Sequence, residues 1–304
     1  MSISFCPAHL RSEIEALSFQ RILFIIGLLI LSLNLSAQSN PISKREITFY
    51  SDTTKLSGTI YTPQKPKAAL LIVHGSGQEK RMDSFAGDLS KAGFCVLTYD
   101  KRGVGESGGV YAGPEVGTNN IDSANLNLLA ADASAAVAYL SKQARPSKLK
   151  IGLIGGSQAG WIIPLAAQKN KQIDFMVIFS GALVTPKEQL RFQFYTAGDA
   201  QFWDKHSEKE ARQHIKHDPD KYEFIDIDPL HTLAKLTIPG LWIWGGKDIQ
   251  VPTNLSIENL AKLKEVNKGY SYVLYPELGH NTAFSDSPAP MKTAVEWMQK
   301  ISSK

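Results

Sequence analysis

From residue 46 onward, short runs of β-branched and aromatic residues alternate with longer segments whose apolar residues recur at helical spacing. This alternation is typical of a mostly parallel sheet covered by helices. Central runs such as LLIV at 70–73 and MVIF at 176–179 are apolar throughout, as expected for strands buried on both faces. The sequence therefore predicts an α/β fold with a central sheet of about eight strands.

The predicted strands and helices follow from these runs and from the spacing of apolar residues. The first two strands, Ile47–Tyr50 and Leu56–Tyr61, lie so close in sequence that we expect an antiparallel hairpin at one edge of the sheet. The remaining strands are predicted at Ala69–Val73, Phe94–Tyr99, Leu149–Ile154, Phe175–Phe179, Gly240–Trp244 and Tyr270–Leu274. Helices are predicted at Asn125–Gln143, Gln158–Gln168, Asn254–Val266 and Met291–Ile301.

Residues 187–235 interrupt this alternation with a polar, aromatic-rich stretch that is longer than the usual connection in such a sheet. The stretch predicts a small helical lid inserted into the sheet domain. An ordinary surface excursion without a role in substrate binding is the alternative.

The N-terminus carries a targeting pattern. Ile22 to Leu35 is an uncharged apolar run preceded by Arg21, and it is shorter than the roughly 20 apolar residues that span a bilayer. Small residues follow it at Ser36 and Ala37, so the pattern predicts a signal peptide over residues 1–37 and a mature domain over 38–304, exported to the periplasm or the medium. After cleavage no stable membrane insertion is expected. An uncleaved signal that anchors the protein in the membrane, and a buried core helix, remain alternatives.

Charge and cysteine content exclude some classes of protein. The formal net charge is +4 with 20% charged residues, and no segment collects the Lys and Arg that a nucleic-acid surface needs. Cys6 lies in the predicted leader, so the mature chain would contain Cys95 alone and no internal disulfide. Cys95 belongs to an apolar run and is predicted to be a buried core thiol.

The sharpest local motif is LKIGLIGGSQAGW at 149–161, in which a strand leads directly into a helix. Small residues allow a tight turn that would hold the Ser157 hydroxyl at the N-terminus of the helix, where backbone N–H groups face developing negative charge. The usual pattern is G-x-S-x-G, whereas this chain has Ala159 at the last position and Gly160 after it. Ser157 is the predicted nucleophile, and an ordinary Gly-Ser turn is the alternative.

A serine nucleophile needs a base and an acid, and two candidates follow predicted strands. Asp248 ends the segment WIWGGKD, and His280 ends the segment YPELGH. The order Ser157, Asp248, His280 is the order expected for a hydrolase of this architecture. Asp226 and Asp228 are weaker candidates for the acid, because they precede the strand that leads to Asp248.

Donors for an oxyanion are predicted in the segment VHGSG at 73–77 and at the start of the helix after Ser157. The backbone N–H groups of Ser76 and Gln158 are the candidates. His74 is predicted to organise the loop through hydrogen bonds rather than to transfer protons.

These motifs, together with YDKRGVGES at 99–107, resemble those of the α/β-hydrolase superfamily over about residues 46–302, in particular its bacterial esterase-like members near the serine aminopeptidase group. The resemblance implies an α/β-hydrolase fold, and it implies that Asp100 and Arg102 brace loops. It does not fix the substrate, because this fold hosts many reactions.

The combined prediction is a secreted serine hydrolase that cleaves small-molecule carboxylic esters through an acyl-enzyme intermediate, without a cofactor. Metal binding is not expected, because His214 and His217 lack a well-placed third ligand. The alternatives are a serine exopeptidase, for which Glu208, Glu210 and residues 218–220 offer carboxylates for amine recognition, and a non-catalytic ligand-binding protein, which the Ala159 departure would favour. Aromatic residues of the predicted lid, which are candidates to line an acyl pocket, are Phe192, Phe194, Tyr195, Phe202 and Trp203.

Overall fold

The computed structural model describes residues 41–112, 120–144, 148–218 and 222–303. The predicted signal peptide, residues 1–37, lies outside the described residues. From Ile42 onward the chain forms one compact unit.

The described residues form one eight-stranded sheet with the order β1-β2-β4-β3-β5-β6-β7-β8. The strands are β1 (Ser43–Ser51), β2 (Thr54–Thr62), β3 (Ala68–Val73), β4 (Phe94–Tyr99), β5 (Ile151–Gly156), β6 (Phe175–Phe179), β7 (Gly240–Gly245) and β8 (Tyr270–Tyr275). The first two strands pair antiparallel, β2 pairs antiparallel with β4, and the other neighbours are parallel. The predicted α/β fold and its edge hairpin are confirmed.

Helices cover the sheet or lie in the segment between β6 and β7. They are α1 (Asp83–Lys91), α2 (Ser123–Ala144), α3 (Ala159–Lys169), α4 (Pro186–Thr196), α5 (Phe202–Lys205), α6 (Glu208–His217), α7 (Pro229–Leu233), α8 (Thr253–Val266) and α9 (Ala289–Ser302), with a 3-10 turn at Thr282–Phe284. Helix α1 was not predicted from the sequence. Among the described residues, no helix combines the length and apolar character that crossing a bilayer requires.

The core has two layers because successive side chains of a strand point to opposite faces. Leu71 and Leu153 belong to the layer beneath α2, α3 and α8, whereas Leu70 and Ile154 belong to the layer beneath α1 and α9. These four side chains are fully buried. The sheet is therefore packed on both faces, and the loops at its carboxyl edge extend from this core.

The fifth strand begins two residues later than predicted. Lys148 has a φ of 56°, and Leu149 N–H bonds the carbonyl of Ala144 at the end of α2, so both residues still belong to the turn. The strand begins at Ile151, whose N–H donates to the Asp174 carboxylate at 2.8 Å.

Buried ion pairs hold the connections around β4. Arg102 Nε donates to Asp132 Oδ2 at 2.9 Å, and Arg81 Nη2 donates to Asp100 Oδ2 at 2.9 Å. Asp132 is fully buried and Asp100 is 3% exposed. Both contacts fit the bracing role that the resemblance implied for Asp100 and Arg102.

Candidate active site

Ser157 lies at the tight turn between β5 and α3, with a left-handed φ of 55°. A non-glycine residue rarely adopts this conformation, which is concentrated at functional sites. Its own backbone holds it there, because Ser157 N–H donates to the Phe179 carbonyl at 2.9 Å and its carbonyl accepts from Gly160 N–H at 2.8 Å. The turn therefore raises the Ser157 side chain above the carboxyl edge of the sheet.

Two glycines make this turn sterically possible. A Cβ at Gly155 would lie 2.4 Å from the Val73 carbonyl oxygen and 2.7 Å from Ala159 Cβ. A Cβ at Gly160 would lie 2.7 Å from Gly181 Cα, where α3 passes the chain after β6. The close approach between helix and neighbouring strand is thus made at Gly160, so the methyl group of Ala159 is accommodated.

Asp248 lies in the loop after β7 and is 1% exposed. Its Oδ1 accepts backbone N–H groups from Gln250 at 2.7 Å and Val251 at 2.9 Å. Its Oδ2 lies 2.9 Å from His280 Nδ1, in the loop after β8. One carboxylate oxygen therefore fixes the loop and the other orients the imidazole.

The helical insertion also holds this acid loop, which we define as residues 248–250. Side chains of the insertion donate hydrogen bonds to three consecutive backbone carbonyls of this loop. The donors are Trp203 Nε1 to the Asp248 carbonyl at 3.0 Å, Thr196 Oγ1 to the Ile249 carbonyl at 2.5 Å, and Gln189 Nε2 to the Gln250 carbonyl at 2.7 Å. The insertion is thus part of the support of Asp248. Sequence reasoning missed this role, because the contacts join residues about 45 to 61 positions apart.

The loop at 74–77 brings the predicted oxyanion donors beside Ser157. Ser76 lines the same cavity as Ser157, and Gln158 follows Ser157 at the start of α3. Within the described part of the chain, neither the Ser76 N–H nor the Gln158 N–H donates to another protein group. Both are therefore available to a ligand.

Lys101 supports this loop from below, and the sequence analysis did not single it out. Its side chain is 2% exposed, and its ammonium group donates to the Gly75 carbonyl at 2.6 Å and to Gln158 Oε1 at 3.2 Å. The available signal was the run of three charged residues, Asp100 to Arg102, that follows the buried strand β4. Lys101 ties the two predicted oxyanion segments together.

Glu79 is a second residue that the sequence analysis missed. Its Oε2 accepts Gly75 N–H at 2.9 Å, and the residue lines the cavity that contains Ser157. Burial raises the pKa of Glu79, whereas the hydrogen bond from Gly75 and the charge of Lys101 oppose that change. Glu79 thereby brings an acidic group to the site.

His74 is buried and stands edge-on to the Tyr99 ring at 4.6 Å between centroids. Burial, followed by the positive charge of Lys101, lowers the pKa of His74 to about 3. The imidazole is therefore neutral at ordinary pH, and its role in organising the loop through hydrogen bonds stays a prediction.

Two cavities meet at Ser157. One, of about 250 Å³, contains His280 and is continued by Phe85 and Phe284. The other, of about 630 Å³, extends beneath α4 and is lined by Trp161 and Phe194, among others. Ser76, Ser157 and Gln250 line both.

The other candidate acids have structural partners of their own. Asp228 caps α7 by accepting Leu230 N–H at 2.8 Å, and Asp226 accepts Ile227 N–H at 3.1 Å. Glu277, a further carboxylate close to His280 in sequence, is exposed and pairs with Lys247 at 2.6 Å. Asp248 is the candidate that the structure brings to His280.

The described carboxylates considered for amine recognition already have partners within the protein. Glu208 pairs with Arg212 at 2.9 Å, and Glu210 forms a capping box with Ser207. Asp218 lies 3.3 Å from His214, and residues 219–220 lie outside the described residues.

His214 stacks on Tyr195, and His217 contacts the Gln213 carbonyl at 3.0 Å. Within the described ranges, no three His, Cys, Asp or Glu side chains converge as metal ligands would. Of the predicted lid aromatics, Phe194 lines a cavity at Ser157, whereas Phe192 and Phe202 form a separate buried cluster that Tyr195 and Trp203 contact.

Comparison with known proteins gives one family match. The family model described as serine aminopeptidase, S33, matches residues 64–233. Among curated proteins, Esterase EstD of Thermotoga maritima is 27% identical over 273 residues, which cover 81% of this chain. The matched chain spans 61% of the length of EstD.

Solved structures share the fold at low sequence identity. The Pyrococcus furiosus esterase Pf2001 matches with a TM-score of 0.61 and 21% identity, covering 86% of this chain and 90% of that one. An acylaminoacyl peptidase from Pyrococcus horikoshii matches with a TM-score of 0.59 and 15% identity, covering 90% of this chain and 42% of that one.

Proposed function

Because this chain belongs to the serine aminopeptidase S33 family of α/β-hydrolases, we propose that it is a serine hydrolase that cleaves carboxylic esters, with Ser157, Asp248 and His280 as its catalytic residues. The similarity to EstD, which is named an esterase, supports the choice of esters. The alternative of peptide substrates has looser support, since the acylaminoacyl peptidase is similar at the level of the fold alone.

The observation that carries this proposal is the 2.9 Å contact between His280 Nδ1 and the buried Asp248 Oδ2, in a site whose cavity is shared by His280 and Ser157. A carboxylate at Nδ1 holds the ring with its other nitrogen, Nε2, as the proton acceptor. Such a ring is oriented to act as a general base on a group within that cavity.

The chemistry follows from these positions. Ser157 Oγ attacks the ester carbonyl carbon as His280 Nε2 takes its proton, and Asp248 stabilises the imidazolium. The carbonyl oxygen becomes an oxyanion that accepts the N–H groups of Ser76 and Gln158. His280 then protonates the departing alcohol. Water next attacks the acyl-Ser157 ester while His280 takes its proton, and His280 returns that proton to Ser157 Oγ as the carboxylic acid leaves.

A fluorophosphonate probe and short acyl p-nitrophenyl esters test this proposal. We expect labelling and ester turnover in the wild type and neither in Ser157→Ala. The matched control is Ser180→Ala, because Ser180 lines the same cavity but its hydroxyl bonds Thr282 at 2.8 Å. Wild-type turnover in Ser157→Ala would overturn the assignment, and an unlabelled wild type that binds an ester saturably would favour a non-catalytic binding protein.

Peptidase action is tested with matched amides and esters of the same acyl groups. The proposal predicts faster cleavage of the ester than of the aminoacyl amide with an equal acyl group. Preferred cleavage of the amides would identify the chain as an exopeptidase.

We also propose that the protein is exported after cleavage of its signal peptide. The proposal rests on the short apolar run at 22–35 and on the small residues that precede Gln38. Mass analysis of the protein secreted by its host should give an N-terminus near Gln38. A chain that retains the apolar run would support the membrane-anchored alternative.

A further inference from the structure

The two cavities at Ser157 differ in their relation to His280. His280 lines the smaller one, which we call the His280 cavity, whereas the larger one, which we call the α4 cavity, is lined by residues of the insertion and of α3. In acyl transfer the general acid must reach the oxygen of the leaving group. The leaving alcohol therefore belongs in the His280 cavity, and the acyl chain belongs in the α4 cavity.

The oxyanion donors agree with this division. Gln158 lines the α4 cavity, and Ser76 lines both cavities, so both donor residues border the α4 cavity and Ser76 also borders the cavity that contains His280. An ester whose carbonyl oxygen faces them would extend its acyl chain and its alcohol in opposite directions.

The size and polarity of the α4 cavity indicate the kind of acyl group it accepts. Its volume of about 630 Å³ is typical of a small-molecule site, whereas the His280 cavity has about 250 Å³. Its apolar lining includes Ile121, Trp161, Leu190 and Phe194. Among the described residues, no charged side chain lines it.

Two carboxamide oxygens of the α4 cavity already accept hydrogen bonds from the protein. Gln158 Oε1 accepts from Lys101 at 3.2 Å, and Gln193 Oε1 accepts from Gln189 Nε2 at 3.0 Å. Among the described lining residues no carboxylate compensates the charge of a cationic amine, which would lose its hydration on entering the cavity. The lining therefore favours an uncharged, largely apolar acyl chain.

The His280 cavity is restricted on its outer side. Phe85 and Phe284 meet edge to face at 5.3 Å between ring centroids, and both line the cavity. The same cavity contains Glu79, which disfavours a leaving group that carries a negative charge.

From these observations we infer that the substrates are esters of an uncharged acyl chain of several carbons with a small alcohol, the acyl chain lying beneath α4 and the alcohol beside His280. The inference rests on the proposed ester hydrolysis. It specifies the substrates of that function, and it distinguishes this site from one that accepts an aminoacyl group with a free, charged amine.

An isomeric pair of esters tests the division of the site. Ethyl hexanoate and hexyl acetate have the same atoms and equally reactive primary alkyl leaving groups. Each methylene buried in an apolar cavity contributes about fourfold to the rate constant kcat/KM. We expect kcat/KM to be more than tenfold higher for ethyl hexanoate, and an equal or reversed preference would overturn the inference.

Two exposed phenylalanines provide matched variants with little risk to folding. Phe194 is 60% exposed and lines the α4 cavity, and Phe284 is 61% exposed and lines the His280 cavity. In Phe194→Ala, the factor by which kcat/KM rises with acyl length should be several-fold smaller than in the wild type. Phe284→Ala should raise kcat/KM for hexyl acetate by several-fold. Ile225→Ala, in the insertion but in neither cavity lining, should change neither quantity. The opposite assignment of the two phenylalanine effects would contradict the inference.

The charge of the acyl group is tested with leucine ethyl ester and its deamino analogue, ethyl 4-methylpentanoate. Below the pKa of the amine, we expect kcat/KM to be at least tenfold lower for the leucine ester, and equal or faster cleavage of that ester would overturn the uncharged acyl chain. Ethyl acetate, which is small on both sides, separates this inference from the proposed function. If ethyl acetate is cleaved and Ser157 is labelled but the expected preferences are absent, this inference alone fails. If neither cleavage nor labelling is observed, the proposed function itself fails.

Discussion

The Trp203 indole N–H donates to the backbone carbonyl of Asp248 at 3.0 Å, which joins the short helix α5 of the insertion to the predicted catalytic acid. Thr196 and Gln189 hold the next two carbonyls in the same manner. A segment that the sequence marks only as an interruption of the fold is therefore part of the support for the candidate triad.

We expect Trp203→Phe to lower kcat/KM by about two- to tenfold, because a neutral hydrogen bond contributes roughly 0.5–1.5 kcal/mol. Ester kinetics and thermal unfolding check this expectation. The matched control is Trp297→Phe, a half-buried tryptophan of α9 that packs on Phe175. Equal activity losses in the two variants would mean that Trp203 acts through general stability and not through the acid loop.

Asp248→Asn should lower kcat by about three to four orders of magnitude, with a small change in the unfolding temperature. The asparagine side-chain oxygen can still accept the N–H groups of Gln250 and Val251, but its amide cannot stabilise an imidazolium at His280. Stopped-flow and steady-state kinetics measure the loss. Asp228→Asn serves as the control, because asparagine also caps a helix, and a comparable loss in that variant would identify the wrong acid.

Substitutions at the neighbouring positions 159 and 160 are predicted to have unequal effects on stability. Gly160→Ala should destabilise the fold by about 1–3 kcal/mol, because its Cβ would overlap the backbone of Gly181. Ala159→Gly should cost no more than about 1 kcal/mol, the usual helix-propensity difference, and should retain ester turnover. Chemical denaturation measures both effects. A larger loss of stability in Ala159→Gly would show that the close approach has been assigned to the wrong residue.

The lowered pKa of the buried His74 side chain predicts that the stability of the fold depends on pH. Its pKa in the folded state is lowered to about 3 by burial, so the unfolded chain binds a proton that the folded chain does not. His74 therefore lowers the free energy of unfolding as the pH falls from about 6.5 toward 3, by at most about 1.4 kcal/mol per pH unit, and has no such effect above pH 7 or so. Denaturant unfolding at a series of pH values should show a shallower slope in His74→Gln. An NMR titration in which the folded His74 ring protonates near its ordinary pKa would contradict this prediction.

Short-range sequence patterns were sufficient for the sheet. Strands β4 and β6 begin and end at their predicted residues, because FMVIF is apolar at every position and FCVLTY is nearly so, and such runs are typical of strands buried on both faces. Helix α1 was missed for the converse reason. It is nine residues long and contains Gly87 and two serines, so its propensity is weak, and its stability comes from packing Ala86 and Leu89 on the sheet.

The candidate site was likewise predictable from the sequence only in part. The order of Ser157, Asp248 and His280, and their position after strands, could be read from the chain because each residue ends a local strand motif. The choice between Asp248 and the aspartates at 226 and 228 became an observation only with the 2.9 Å contact to His280. The roles of Lys101 and Glu79 were absent from the sequence analysis because both bind backbone groups of Gly75, which leave no side-chain pattern in the sequence.

The sequence by itself determined which residues form strands, where the tight turn at Ser157 occurs and which side chains reach the carboxyl edge of the sheet, because these depend on local periodicity and on small residues at a turn. Only the tertiary structure decided that the insertion holds the acid loop, that Lys101 lies beneath the predicted oxyanion donors, and that two unequal cavities meet at Ser157. Those relationships join segments distant in sequence, and their geometry is set by the packing of helices and loops around the sheet.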